Sequence, residues 1–365
     1  MSRRTHLLVL FIVLAFSLAG CAPVPAAAPA APAAEAPAAA PAADEPAASA
    51  ADAVEGEVVL YTGRSEPLIQ PVLDAFHAAH PDINVRMKAG GNSELANALL
   101  EERGNPQADV FVTTEMFTAQ ALADQDVFAP YRPAGVADYP AGFVGANDTW
   151  IGLTQRARII IYNKDLVSED ELPTSIFDLT DPRWKGQIAS AGSTNGSMQA
   201  QIAVMRHLIG EPETEEWLRG LIANDVTFFR SHTDVRRAVG AGEFKLGLAN
   251  HYYYHLQLAE GSNVGVVYPD QGEGEIGLIT NATAVGIIQG GPHPNAARVL
   301  VDFLVSPEGQ HIFAERNYEY PLLPGIAARE GVAPLENYRL AEVDLSNAVQ
   351  DSEEVFALME KVGLP

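Results

Sequence analysis

The chain has 365 residues, of which 23 are basic and 47 acidic, giving a formal net charge of −24. That balance excludes a nucleic-acid partner, whose capture rests on neutralising phosphates with Lys and Arg. A single cysteine, Cys21, excludes an internal disulfide framework and any thiolate metal site in the body of the chain.

The first residues carry an address. Arg3 and Arg4 precede an apolar run from Leu7 to Leu18, broken only by Ser17, and Leu18-Ala19-Gly20-Cys21 follows. A bilayer span takes about 20 apolar residues, so residues 1–20 read as a secretory signal peptide. The Leu-Ala-Gly-Cys order resembles the bacterial lipobox, which implies cleavage before Cys21 and a diacylglycerol on its thiol. Residues 22–55 are almost entirely Ala and Pro with a few acids. Such a segment buries too little apolar surface to offset its ordering entropy, and its prolines keep it semi-extended. Residues 21–55 are therefore expected to form a disordered tether from a lipidated Cys21. The chain would lie on the extracytoplasmic face of a lipid bilayer, in a periplasm or on a cell surface, without spanning it.

From residue 56 onward the composition is globular, with length for two lobes of about 150 residues each. Without Arg3, Arg4 and the five acids up to Glu55, the body holds 21 basic and 42 acidic residues. This fits a cationic ligand and equally fits plain solubility. Glu57 to Thr62 reads as a buried strand, and Pro67 to His80 as a helix with apolar residues at Leu68, Val72, Leu73, Phe76 and Ala79. Ile83 to Met87 is a strand, Ser93 to Arg103 a helix capped by Ser93, and Ala108 to Val112 a third strand. This alternation implies a mostly parallel sheet covered on both faces. Strands are also expected over Arg156–Asn163, Leu246–Asn250 and Ala282–Ile288. Helices are expected over Gln199–Ile209, Glu213–Asn224, Asp234–Ala241, Ala296–Val305 and Pro307–Glu315, with closing helical turns after Val343. The fold class is α/β, with two lobes and a hinged cleft between them. Lobe 1 takes residues 56–140 and 283–334, and lobe 2 takes 141–282 and 335–365. Ligands of open α/β sheets bind beyond the carboxyl ends of the strands. The turns to watch are therefore Thr62–Glu66, Thr113–Glu115, Gly192–Ser197 and Asn250–Tyr254.

The strongest local signal is Asn250-His251-Tyr252-Tyr253-Tyr254-His255, three consecutive tyrosines after a strand. A phenol with a pKa near 10 is a weak ligand when neutral, but a highly charged hard cation stabilises its phenolate. The turn Ser193-Thr194-Asn195-Gly196-Ser197 opens a helix and suits a small anion. Arg64 could add an anion contact. Tyrosines and acids could equally cage a polyamine, thiamine or another small organic cation. His251 and His255, four apart, could share a helix face toward zinc. An enzyme is the reading of another class, but no Gly-x-Ser-x-Gly, phosphate-binding glycine loop or cysteine nucleophile supports it.

Read together, the body resembles the ferric-iron-binding periplasmic proteins, the substrate-binding components of iron(III) ABC transporters. The matching pieces, in order, are Leu60–Glu66, Gln107–Phe111, Arg156–Asn163, Trp184–Gly186, Thr194–Ser197, Asn250–Tyr253 and Tyr318–Pro321. The resemblance implies a type II periplasmic-binding-protein fold and Fe(III) held by Tyr252 and Tyr253. It places a synergistic anion, carbonate or phosphate, on Arg64, Thr194, Asn195, Gly196, Ser197 and Asn250. Ser65, Glu115, His251 and Tyr254 would support these groups without touching the metal. The first lobe departs from the family pattern. Ser65 stands where some members have a ligating His, Glu66 where others have a Tyr, and Thr114 where a ligating Glu occurs. Ser197 replaces a further tyrosine. Glu66 is the residue expected to complete the coordination. The implied partners are an ABC permease and, through it, its ATPase, and the protein is expected to act as a monomer.

Overall fold

A computed structural model of the protein describes residues 54–140, 142–343, 347 and 352–365. The expected signal peptide, Cys21 and nearly all of the expected tether lie outside the described residues. Among the described residues, no helix is long and apolar enough to cross a membrane.

The body opens with β1 (Glu57–Thr62), flanked on both sides by parallel neighbours, β2 (Asn84–Ala89) and β3 (Val110–Thr113). Helix α1 (Glu66–Ala79) connects β1 to β2 and buries Ile69, Val72, Leu73 and Phe76, a spacing of three and four that makes one apolar stripe. Helix α2 (Asn92–Glu101) connects β2 to β3. Its N-cap is Gly91, not Ser93, and the Asn92 amide in its first turn donates to Thr114 Oγ1 at 2.6 Å. Helix α3 (Met116–Ala123) follows β3 and is absent from the sequence-based expectations. It buries Met116, Phe117, Ala119, Gln120 and Leu122, so no polar face marks its period.

β4 (Phe128–Ala129) is a short antiparallel neighbour of β10 (Thr280–Ile288), which itself runs antiparallel to β3. The strand that organises the molecule is β5 (Ile151–Asn163). Its first half pairs with β10, from Val285↔Ile151 to Thr280↔Ala157. Its second half pairs with β8 (Leu246–Asn250) and β9 (Val264–Val267). Beyond β8 come β6 (Ile188–Ala191) and β7 (Thr227–Phe229), in parallel. The strand order is thus β2-β1-β3-β10-β5-β8-β6-β7, with β11 (Tyr320–Pro321) added on β5. One continuous strand belongs to both sheets. Ile159, Ile160 and Ile161 at its centre are fully buried, each contributing about 1.5–3 kcal/mol by leaving water.

The remaining helices cover these sheets. They are α4 (Gly196–Ile209), α5 (Glu211–Ala223), α6 (His232–Gly240), α7 (His251–Ala259), α8 (Pro294–Val305), α9 (Pro307–Asn317) and α10 (Ser352–Val362). The Glu55 carboxylate accepts from the Asn295 and Ala296 N–H groups at 3.1 and 2.8 Å, so ordered contacts begin at the start of α8. The apolar core around α3 continues into α4 through Met198 and Ile202, so the two halves share packed surface.

Candidate functional site

Because strands run parallel into helices, the N-terminal turns of those helices gather at one end of each sheet. A cavity of about 310 Å³ lies where they meet. It is lined by Ser65, the N-cap of α1, by Gly91 and Asn92 at the start of α2, and by Thr114 just before α3. From the other sheet come Thr194 to Ser197 at the start of α4, Arg230 to Thr233 at the start of α6, and Tyr252 and Tyr253 at the start of α7. Six helix N-termini therefore present partial positive charge and N–H groups to one space. All four turns singled out in the sequence contribute to it.

Tyr252 is buried, and its ring centroid lies 4.2 Å from that of Tyr253 with 32° between the planes. Two phenols thus share one wall. Burial, and then the neighbouring Tyr252, push the Tyr253 phenol well above its ordinary pKa, while Arg64 and Arg156 pull it back. Tyr254 is not among the residues lining the cavity and packs against a core cluster that includes Val264 and Tyr320.

The turn over residues 193–197 opens α4 and is tightly held. Asn195 caps α4, accepting from the Ser197 and Met198 N–H groups at 3.1 and 3.4 Å. Asn250 donates to Ser197 Oγ at 3.0 Å and accepts from Arg158 Nη1 at 3.0 Å, so it steadies the turn from behind without lining the cavity. Gly196 has no room for a side chain. A Cβ there would meet Glu115 Cγ at 2.4 Å and Asn92 Nδ2 at 3.0 Å, so the start of α4 abuts the starts of α2 and α3.

Arginines dominate the electrostatics. Arg64 is 2% exposed and makes an ion pair with the buried Glu319 at 2.9 Å and a hydrogen bond to Thr283 Oγ1 at 2.9 Å. Burial opposes its charge, but Glu319 and the two phenols outweigh that and raise its pKa. Arg156 is 1% exposed, standing on β5 where that strand passes between the sheets, and its Nε donates to Asn281 at 3.3 Å. Arg158 lies behind, donating to Gln201, and burial lowers it to about 9. Arg64 Nε and Nη2, Arg156 Nη2 and Arg158 Nη2 are buried without a partner. His232 is buried beside Arg158 and Tyr253; burial, then Arg158 and Arg156, push its pKa well below the usual range. Arg156, Arg158, Arg230 and His232 were not singled out from the sequence. The alternation of Arg156 and Arg158 along an otherwise apolar strand was the available signal.

Several expectations need correction. Glu66 opens α1 with an exposed side chain and is not among the residues lining the cavity, because the helix turns it outward past Ser65. Glu115, expected to support the site without touching the metal, is fully buried, caps α3 by accepting from Thr118 N–H at 3.0 and 3.1 Å, and accepts from the Asn92 amide at 3.3 Å. Burial raises its pKa, against these hydrogen bonds. His251 has both ring nitrogens engaged, Nδ1 with the Ala157 N–H at 3.2 Å and Nε2 with the Tyr318 carbonyl at 2.8 Å. It therefore keeps no lone pair for zinc, and no group of three His, Cys, Asp or Glu stands together among the described residues. An acidic cage for an organic cation is also overturned. The described residues lining the cavity include Arg64, Arg156 and Arg230 and no carboxylate.

A two-sheet body joined by a through-running strand, with helix N-termini around a central cavity, defines an extracytoplasmic solute-binding protein of the type II periplasmic fold. Residues 105–341 match the bacterial extracellular solute-binding protein family, and the chain belongs to it. It is 31% identical over 320 residues to the Fe(3+)-binding periplasmic protein of Serratia marcescens, covering 86% of this chain and 92% of that one. It is 31% identical over 293 residues to iron uptake protein A1 of a Synechocystis species, covering 78% and 80%. Among solved structures, iron-bound HitA from Pseudomonas aeruginosa matches with a TM-score of 0.76 at 28% identity, over 85% of this chain and 100% of that one. The resemblance read from the sequence is borne out, and the family is one of binding proteins rather than enzymes.

Proposed function

We propose that the protein is the substrate-binding component of an ABC importer and captures ferric iron as cargo through the phenolates of Tyr252 and Tyr253. The observation that carries this reading is the pair of phenols, 4.2 Å apart between centroids, on a wall of the cavity otherwise rich in guanidinium groups. A neutral phenol binds metals poorly. Ferric iron supplies the charge that stabilises the phenolate, and Arg64 and Arg156 lean the same way. Those guanidinium groups would repel a bare trication, so an anion must enter with it. The turn Thr194–Ser197, braced by Asn250, and the free N–H groups of Arg64 suit carbonate or phosphate there. With Glu66 outside, oxygen from the anion, from water, or from the Ser65 and Thr114 hydroxyls completes the sphere on the first-lobe side.

Residues 56–140 with 283–334, and 141–282 with 335–365, act as the two lobes. They close by bending where β5 passes from one sheet to the other, and contacts from both lobes drive that closure. The closed form is offered to a permease coupled to an ATPase. A lipid on Cys21 keeps the protein near that permease on the extracytoplasmic face.

Adding ferric iron with bicarbonate to the purified protein tests the reading. A visible phenolate-to-iron charge-transfer band is expected. It should vanish in the Tyr252→Phe/Tyr253→Phe double variant and weaken or shift in each single variant. A colourless wild-type protein would sink the ferric assignment.

A further inference from the structure

A second cavity, of about 710 Å³, lies behind the first. Most of its wall is the segment from Tyr320 to Leu340, with Pro140, Phe143 and Gln155 from earlier in the chain. Gln155 and Arg156 are neighbours on β5, and successive side chains of a strand face opposite ways. Arg156 lines the cavity that holds the tyrosine pair, and Gln155 lines this one. Tyr320, on β11, pairs with Gln155 and forms part of the same wall. We infer that this second cavity binds a small organic cation that carries an aromatic ring. The site is separate from the ferric one and does not depend on that reading.

The first ground is size and lining. Pockets for small organic ligands run from about 300 to 1,000 Å³ and are mainly apolar, with a few placed polar groups. Here the polar side chains are Gln155, Glu336 and two tyrosines, set in an otherwise apolar wall. The second ground is the rings. Phe143, Tyr320 and Tyr338 line the cavity. Tyr320 stacks on His251 at 4.2 Å with 17° between the planes, and Tyr338 on Tyr268 at 4.1 Å with 18°. Each tyrosine ring is thus fixed by a neighbour and presents a rigid aromatic surface to a cation or a flat ring.

The third ground is charge. Among the described residues lining the cavity, Glu336 carries the only formal charge. Its field reaches Tyr320, whose phenol is pushed up by burial first, then by Tyr268, Tyr338 and Glu336. Two arginines of the same segment are spent elsewhere. Arg329 lies over the Tyr318 ring and donates to the Glu315 carbonyl at 2.6 Å. Arg339 donates to the Asp270 and Gly272 carbonyls at 2.8 and 2.9 Å. A cation here meets one carboxylate and three rings, whereas an anion meets no cationic partner.

The test uses the purified protein stripped of iron by chelation. The probe is 2-phenylethylamine, compared with 2-phenylethanol (its neutral counterpart of similar shape), phenylacetate and ethylamine. Each is titrated by calorimetry at neutral pH, with saturation-transfer NMR as a second readout. The amine should bind about fivefold or more tightly than the alcohol, and phenylacetate and ethylamine should not bind. Glu336→Gln, at an exposed position, should weaken the amine by about two- to fivefold. Ala327→Trp, also exposed, should fill the cavity and stop both the amine and the alcohol. Glu330→Gln, outside the lining, should change nothing. The Tyr252→Phe/Tyr253→Phe variant should keep amine binding while it loses the iron band, which tells a failure here from a failure of the ferric reading. Four results overturn the inference: no amine binding, alcohol binding as tight as the amine, amine binding that ignores both Glu336→Gln and Ala327→Trp, or amine binding lost with the two tyrosines.

Discussion

Arg64 shows how much of the site depends on one buried, ion-paired residue. Its guanidinium is buried and is balanced by Glu319, whose other oxygen accepts from Thr154 Oγ1 at 3.1 Å. Thr154 lies on β5 and Thr283, which also receives Arg64, on β10. Glu319→Ala would leave a buried charge unpaired. We expect a loss of about 3–5 kcal/mol in chemical denaturation, beyond what a surface ion pair would cost. Tyr253 carries a second prediction at this scale. Burial holds its phenol protonated at neutral pH, so on the proposed ferric reading iron displaces that proton. Binding releases it, and affinity falls as pH falls. Calorimetry in two buffers of different ionisation enthalpy should show about one proton fewer released per iron in Tyr253→Phe than in the wild type.

The helix starts are where the sequence was most legible. Each is a strand run ending in small or polar residues, and that punctuation is local chemistry. The Leu246–Asn250 strand is found as expected, with α7 directly after it. Helix α3 was not legible because burial on every side erases the period that marks a helix. Arg156 was not singled out because its meaning depends on β5 crossing between sheets, a tertiary fact. Glu66 failed for a similar reason, since proximity in sequence to Arg64 says nothing about which way the first turn of α1 faces. At this scale, Asn195→Ala should cost about 1 kcal/mol through the lost cap of α4, even without ligand. The loop after β9 adds a pH effect. Burial raises the Asp270 carboxyl to about 6, while hydrogen bonds from Ser175 Oγ at 2.5 Å and Ile176 N–H pull it back. The folded state therefore binds this proton more tightly than the unfolded state does. That stability is full below about pH 4 and is lost as pH rises through about 6. Asp270→Asn should flatten this part of the stability-versus-pH curve.

The whole molecule is acidic outside and cationic within. A chain with a formal charge of −24 surrounds a cavity lined by three arginines and no acid. Composition alone fitted a cationic ligand or plain solubility, because the charge sum cannot report where charges sit. On the proposed ferric reading, this inversion is the reason an anion accompanies iron, and closure would follow because the phenols and the Ser65 and Thr114 hydroxyls line opposite sides of the cavity. The central claim is that one ferric ion binds at both phenols. Anomalous diffraction at the iron edge from crystals of the iron-loaded protein tests it most directly. The account predicts a single strong peak within bonding distance of Tyr252 Oη and Tyr253 Oη, with anion density toward Thr194–Ser197. A peak elsewhere, or iron-loaded crystals with no peak at the tyrosines, would contradict it.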